Sequence, residues 1–176
     1  YSNVYFREPE SRADQTRMMS IVTTGLETGY YVDVFRSRKE RGGDKMHDYF
    51  YHNLGQTMTL TAADGTDLNL QPTEELAFAG AHLYGYSYLY DKKVAATGKD
   101  VKATFTIDMK DKGGDDIVMN LWMKGEPDRE VFTALSPMTE GLSRTPGMPY
   151  NIKEQPTLTF VARQHGEAWT RPFVAV

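Results

Sequence analysis

The residues best suited to proton transfer or metal binding are two histidines and one aspartate in the first third of the chain. His47 and His52 lie five residues apart in a strand-like segment, and Asp33 lies in the strand-like segment before it. Because side chains of a regular strand alternate between its faces, the two histidines should face opposite sides. Asp33 could reach one of them across a sheet, either for acid–base chemistry or as a structural hydrogen bond. These three residues are the catalytic candidates, and a metal site would need a bulge between the histidines.

Aromatic residues in two further segments could contact a sugar. Tyr84, Tyr86 and Tyr88 alternate in a run that predicts a strand, so their rings should share one face and either stack on a glycan or pack within a sheet. Trp169 and Arg171 lie near the tip of a predicted hairpin and could contact a carbohydrate or a protein partner. Alternatively, Trp169 closes the end of the fold with Arg171 stacked over it.

The motifs of several enzyme classes are absent from the sequence. There is no Gly-rich phosphate loop, no nucleophile elbow and no His-Glu-x-x-His pattern. The chain has no cysteine, which excludes disulfides and thiolate metal sites. None of the 24 acidic residues stands out as a pair for glycoside hydrolysis. We therefore expect no metal and no other cofactor in this segment, and the motifs alone do not identify an enzyme.

Short strands separated by Gly, Asp and Pro turns are expected to position these side chains. Residues 17–24 and 30–36 predict one hairpin, and residues 101–109 and 117–123 predict another, with 128–134 pairing beside it. Asp64-Gly65 predicts a turn between strands 57–61 and 67–70. The remaining predicted strands are 46–52, 84–90 and a last hairpin of 156–163 with 169–176. No sustained helical period is present, so the pattern predicts an all-β fold, an antiparallel β-sandwich of about a dozen short strands.

Size and charge narrow the function classes. A chain of 176 residues suits a single domain, here residues 1–176, and 12% aromatic residues favour strands. The formal net charge of −4 is interspersed along the chain, which argues against nucleic-acid binding. No apolar run approaches the roughly 18 residues of a membrane span. Because the sequence starts without Met and ends in an apolar run at 173–176, we expect a fragment of a larger multidomain protein.

Several segments together resemble the downstream β region of heparinase II/III-like polysaccharide lyases. That region carries a strand of the type "yvvDvFRv", a Gly pair and an "HDYsfH" strand. The matching positions here are Arg17-Met18-Met19, Tyr31-Val32-Asp33-Val34-Phe35-Arg36, Gly42-Gly43, His47-Asp48-Tyr49-Phe50-Tyr51-His52 and the closing residues 166–176.

The resemblance implies a lyase that cuts acidic polysaccharides by β-elimination and pairs an N-terminal helical toroid with β-sheet domains. It also implies secretion or a periplasmic location in bacteria. In that family the catalytic Tyr and His come mostly from the toroid and from a His-x-His motif, which also contributes to a structural zinc site. This sequence contains no His-x-His motif. The family's catalytic and metal residues therefore cannot be carried over to any position here.

Three functional hypotheses remain open from the sequence. The first is a non-catalytic β-sandwich segment that supports the substrate cleft of such a lyase and contacts the missing N-terminal helical domain. The second is a stand-alone carbohydrate-binding module, and the third is a small complete enzyme. The first predicts a broad exposed apolar patch, the second an exposed aromatic platform, and the third a concave pocket with convergent polar groups.

Overall fold

Twelve strands and three short 3-10 helices form the fold in a computed structural model that describes residues 1–77, 81–147, 152 and 154–176. The strands are β1 (Ser2–Arg7), β2 (Asp14–Thr23), β3 (Gly29–Arg38), β4 (Met46–Asn53), β5 (Thr57–Ala62), β6 (Gln71–Pro72), β7 (Tyr90–Ala96), β8 (Val101–Ile107), β9 (Ile117–Met123), β10 (Arg129–Ser136), β11 (Thr157–His165) and β12 (Ala168–Ala175). The 3-10 helices are η1 (Ala81–Tyr88), η2 (Lys110–Lys112) and η3 (Glu140–Arg144).

The strands form two antiparallel sheets, which confirms the predicted all-β fold. Sheet A has seven strands in the order β1-β2-β3-β12-β9-β8-β5, and sheet B has five in the order β4-β11-β10-β7-β6. Alternating apolar residues of both sheets meet in the main core, for example Phe105 of β8, Phe160 of β11 and Phe173 of β12, all at most 1% exposed. Among the described residues, no helix is long and apolar enough to cross a membrane.

Two of the predicted hairpins are confirmed. β2 and β3 pair along their whole length, with Met19 opposite Asp33, and β8 pairs with β9. In both pairs the apolar alternation and the turn residues lie in a continuous stretch of sequence, so the local sequence was sufficient to predict the hairpin.

Four strand predictions are wrong. Residues 84–88 belong to η1 rather than to a strand, and the strand that follows, β7, was not expected. Residues 67–70 contribute only a bridge between Thr61 and Asp67. β10 pairs with β7 and β11 instead of with β9. β11 and β12 belong to different sheets, so the turn at Gly166 passes the chain from one layer to the other instead of closing a hairpin.

Leu76, Tyr86 of η1 and Leu89 cover part of the outer face of sheet B. Side chains of β10 and β11 that point away from the main core, such as Phe132 and Val161, are fully buried. They form a second apolar cluster with Leu76 and with Leu89, which directly follows η1. The run at 84–90 resembles a strand in sequence because its tyrosines alternate, but the residues that face inward are Tyr86 and Leu89, three positions apart, as in a 3-10 helix.

Candidate functional site

The structure separates the predicted catalytic residues. β3 and β4 lie in opposite sheets, so Asp33 is not a strand neighbour of either histidine. Asp33 faces the space between the sheets, where the Arg17 Nε donates to its Oδ1 at 3.0 Å and the Tyr49 hydroxyl donates to its Oδ2 at 2.8 Å. Burial, reinforced by the Asp33 charge, raises the pKa of Tyr49 well above its usual value. Tyr49 therefore stays protonated and is unsuited to act as a base.

His47 and His52 face opposite sides of β4, as the alternation predicts. His47 lies opposite Gln164 of β11, and its Nε2 is 2.5 Å from Asp44 Oδ1 in a largely buried contact. His52 lies on the outer face opposite Thr159, with its Nδ1 2.9 Å from the Thr159 hydroxyl. Partial burial of the His52 ring lowers its pKa. Each histidine thus has its own local partner, and the two do not form one site.

No metal centre is evident in the part of the chain that the structure describes. Within it, no three His, Cys, Asp or Glu side chains converge in a way that could hold a metal ion. The catalytic role of His47, His52 and Asp33 stays a prediction, since their contacts are also those of structural hydrogen bonds.

A buried polar network beneath η1 was not expected from the sequence. Arg163 of β11 donates to both carboxylate oxygens of Asp48 on β4, at 2.8 and 2.9 Å, and to Glu75 at 3.1 Å. The side chains of Asp48 and Arg163 are 6% and 8% exposed. The Tyr86 hydroxyl donates to Asp48 at 2.6 Å. The sequence offers opposite charges at Asp48 and Arg163, but these residues are 115 positions apart. Their pairing becomes visible when β4 is aligned with β11.

The three candidate tyrosines of η1 divide into one anchor and two exposed rings. Tyr86 is partly buried and packs edge-to-face on Phe50, with ring centroids 5.3 Å apart. Burial raises the pKa of Tyr86 well above its usual value, so it remains a hydrogen-bond donor to Asp48. Tyr84 and Tyr88 are 60% and 57% exposed, and their ring centroids are 6.4 Å apart. We call Tyr84 and Tyr88 the tyrosine pair.

Trp169 and Arg171 lie in an irregular part of β12. Ala168 pairs with Ser37 of β3 and Phe173 pairs with Phe35. Four residues of β12, 169–172, thus lie opposite the single residue Arg36, which makes this part of β12 a bulge. The guanidinium of Arg38, not that of Arg171, covers the Trp169 ring at 4.3 Å from its centroid. A shallow cleft beside the ring is lined by Arg38, Lys39, Glu40, Asp44, Glu167, Trp169 and Thr170. Carbohydrate binding by Trp169 and Arg171 stays a prediction.

A second exposed apolar surface lies where sheet A extends beyond sheet B. The strand register places Val4, Arg17 and Phe35 in one row across β1, β2 and β3, on the face that continues into the main core. Sheet B reaches as far as Tyr49, whose ring lies 5.4 Å from the Arg17 guanidinium. Beyond that point the same face carries five apolar side chains that are 48–67% exposed. They are Val4, Phe6, Met19, Ile21 and Tyr31, and we call this surface the overhang.

Comparison with known proteins gives one clear similarity. No family model matches the chain. The whole chain aligns with an endo-acting ulvan lyase from Formosa agariphila, with 33% identity over 180 residues. The aligned part is 21% of that enzyme, so the chain spans about a fifth of its length. The comparison supports the polysaccharide-lyase part of the predicted resemblance and gives no support to its heparinase II/III-like part. The chain is therefore similar to a segment of a polysaccharide lyase.

Proposed function

We propose that this chain is a β-sandwich segment of a larger polysaccharide lyase, and that it supports the substrate cleft without supplying the catalytic groups. The observation that carries the proposal is the alignment of the whole chain with one fifth of the endo-acting ulvan lyase. By the same relationship, the longer protein acts on an acidic polysaccharide such as ulvan. The finer assignment to the heparinase II/III-like family, with its N-terminal helical domain, rests on the sequence motifs at 31–36 and 47–52.

The state of the candidate acid–base groups favours a supporting role. β-Elimination needs a base and an acid that converge on one sugar ring. Asp33 is held by Arg17 and Tyr49, and His47 contacts Asp44. His52 lies on the other face of β4. Among the described residues, the candidate acids and bases do not face a common cavity.

The overhang supports a place within a longer chain. Exposed Phe, Tyr and Met side chains around an arginine are typical of the centre of a protein interface, whereas a solvated sheet face carries polar residues. We assign this surface to the remainder of the lyase polypeptide, because four fifths of the similar enzyme lies outside the aligned region. A second copy of this chain is the alternative occupant that the test must exclude.

A secreted or periplasmic location follows from the same proposal. An endo-acting enzyme cleaves within a polymer, and a polymer of that size is degraded before its products enter a cell. Measurement of the protein in culture supernatant, periplasmic and cytoplasmic fractions tests this location.

The first test measures catalysis by the isolated chain. The purified protein is incubated with ulvan and other acidic polysaccharides, and the ultraviolet absorbance of unsaturated uronic acid ends is followed. We expect no rise on a folded sample, and a rise abolished by His47→Ala or His52→Ala would overturn the non-catalytic role.

The second test asks whether the segment supports an active lyase. Removal of the aligned segment from the Formosa agariphila enzyme should abolish most of its activity, and insertion of this chain in its place should restore a measurable part. In that chimera Ile21→Lys on the overhang should remove the restored activity. The matched control is Thr59→Lys, since Thr59 is exposed on the outer face of β5, and it should keep the restored activity. A deletion variant with full activity would contradict the proposal, and a stable dimer of the isolated chain that Ile21→Lys dissolves would assign the overhang to self-association.

A further inference from the structure

The tyrosine pair is an exposed aromatic surface on a rigid support. Tyr84 and Tyr88 are each more than half exposed, although tyrosine rings are usually at least partly buried. Their ring planes meet at 54° with centroids 6.4 Å apart, within the range of interacting aromatic pairs. More than half of each residue is therefore accessible to solvent, and the two rings lie side by side.

The support beneath the pair fixes its position. Between the two exposed rings, Tyr86 points inward, packs edge-to-face on Phe50 and donates a hydrogen bond to Asp48. Asp48 is held in turn by the buried Arg163. The Ser87 hydroxyl donates to the Tyr84 carbonyl at 2.7 Å, which ties the backbone of the pair together. A surface that is fixed before its ligand arrives loses little conformational entropy on binding.

The chemistry of the pair suits the face and rim of a sugar ring. Tyrosine offers a large flat area at a low cost in side-chain entropy, and its hydroxyl bonds to polar groups at the edge of that area. A pyranose ring has the complementary character, with C–H groups on its faces and hydroxyl groups around its rim. The pair contains no aliphatic side chain, and the residues that flank Tyr86 between the two rings are Gly85 and Ser87.

We propose that Tyr84 and Tyr88 form a stacking site for one sugar ring of a polysaccharide chain, outside the catalytic centre. Its identification with the lyase's own substrate rests on the proposed function. The site would hold polymer against this segment, so its loss weakens polysaccharide binding without changing the bond that is cleaved.

The experiment is affinity electrophoresis of the isolated chain in native gels that contain ulvan, a second acidic polysaccharide or a neutral glucan. We expect ulvan to retard the wild-type protein. Tyr84→Ala with Tyr88→Ala should weaken binding roughly tenfold, since each ring contributes about one stacking contact. The double phenylalanine variant, Tyr84→Phe with Tyr88→Phe, should stay within about threefold of the wild type because it keeps both rings.

The control is Tyr31→Ala on the overhang, which removes a tyrosine of comparable exposure, 65%, and should leave retardation unchanged. Circular dichroism and the thermal midpoint confirm that each variant is folded. Wild-type binding by the double alanine variant, or no retardation of the wild type in any gel, would overturn the stacking site. Tyrosine-dependent retardation in another polysaccharide but not in ulvan would support the site and contradict ulvan as the substrate. The chimera experiment tests the supporting role separately.

Discussion

The tyrosine pair and the overhang are both exposed apolar surfaces, yet they differ in what lies beneath them. The pair stands on a buried network in which Asp48, Arg163 and Tyr86 satisfy one another. The overhang stands on the inner face of β1 and β2, and all six residues of β1 are exposed. The exposed apolar area of a surface alone therefore does not identify the partner that binds there. Rigid support with polar ring edges fits a small ligand, whereas an aliphatic face continuous with the core fits another layer of protein.

The largest effect is expected from breaking the support of the tyrosine pair. Asp48→Asn leaves the buried Arg163 with the half-exposed Glu75 as its one acidic partner among the described residues, so the free energy of unfolding should fall by about 3 kcal/mol. Urea denaturation measures this loss, and hydrogen exchange at residues 84–89 should accelerate. The control Glu140→Gln, in the exposed pair with Arg144, should change stability by less than about 0.5 kcal/mol. An unchanged exchange rate at residues 84–89 in Asp48→Asn would show that the buried network does not hold the tyrosine pair in place.

A smaller effect should come from acidification beside the same support. His52 stacks on Phe50, and its pKa is below the usual 6.5. The unfolded chain therefore binds more protons at this site than the folded protein, so stability should decrease as the pH falls below 6.5. Because His52 is only partly buried, the change should be less than about 1 kcal/mol. Denaturation midpoints of the wild type and His52→Gln between neutral and mildly acidic pH measure it, and equal slopes would contradict the assignment.

The smallest effect on stability is expected on the overhang. Met19→Thr with Ile21→Thr replaces two exposed apolar side chains by β-compatible polar ones, so the free energy of unfolding should change by less than about 0.5 kcal/mol per site. Binding of a hydrophobic dye should fall at the same time. A loss of about 2 kcal/mol or more would show that these side chains belong to the core of the isolated domain and are not a docking surface.

Sequence patterns were reliable for two pairs of strands that follow each other directly along the chain. The β2–β3 and β8–β9 hairpins follow directly from alternation and turn residues. Pairings between distant segments could not be deduced, because alternation shows which side chains share a face but not which sheet receives the strand. The turn at Gly166 has the composition of a hairpin but connects the two layers.

The candidate site was predictable only in part. The alternation of His47 and His52 was correct, and the aromatic run at 84–88 was noticed for its composition. Its division into an inward-facing Tyr86 and two exposed rings depends on Phe50 and Asp48, which are more than thirty residues away in sequence. The overhang could not be predicted from the sequence for a related reason. The exposure of β1 and β2 depends on sheet A having more strands than sheet B, and not on the residues of β1 and β2 themselves.

The position of β12 has a consequence for the order of folding during synthesis. In sheet A, β12 is the last of the described strands in chain order, and it lies between β3 and β9, where it links β1-β2-β3 to β9-β8-β5. Sheet A cannot be completed until residues 168–175 have left the ribosome. Until then β1-β2-β3 and β9-β8-β5 are two separate groups of strands. Their long-range pairing makes folding slow compared with that of a helical protein. During that interval the apolar faces of β1–β3 are available to chaperones and to neighbouring nascent chains.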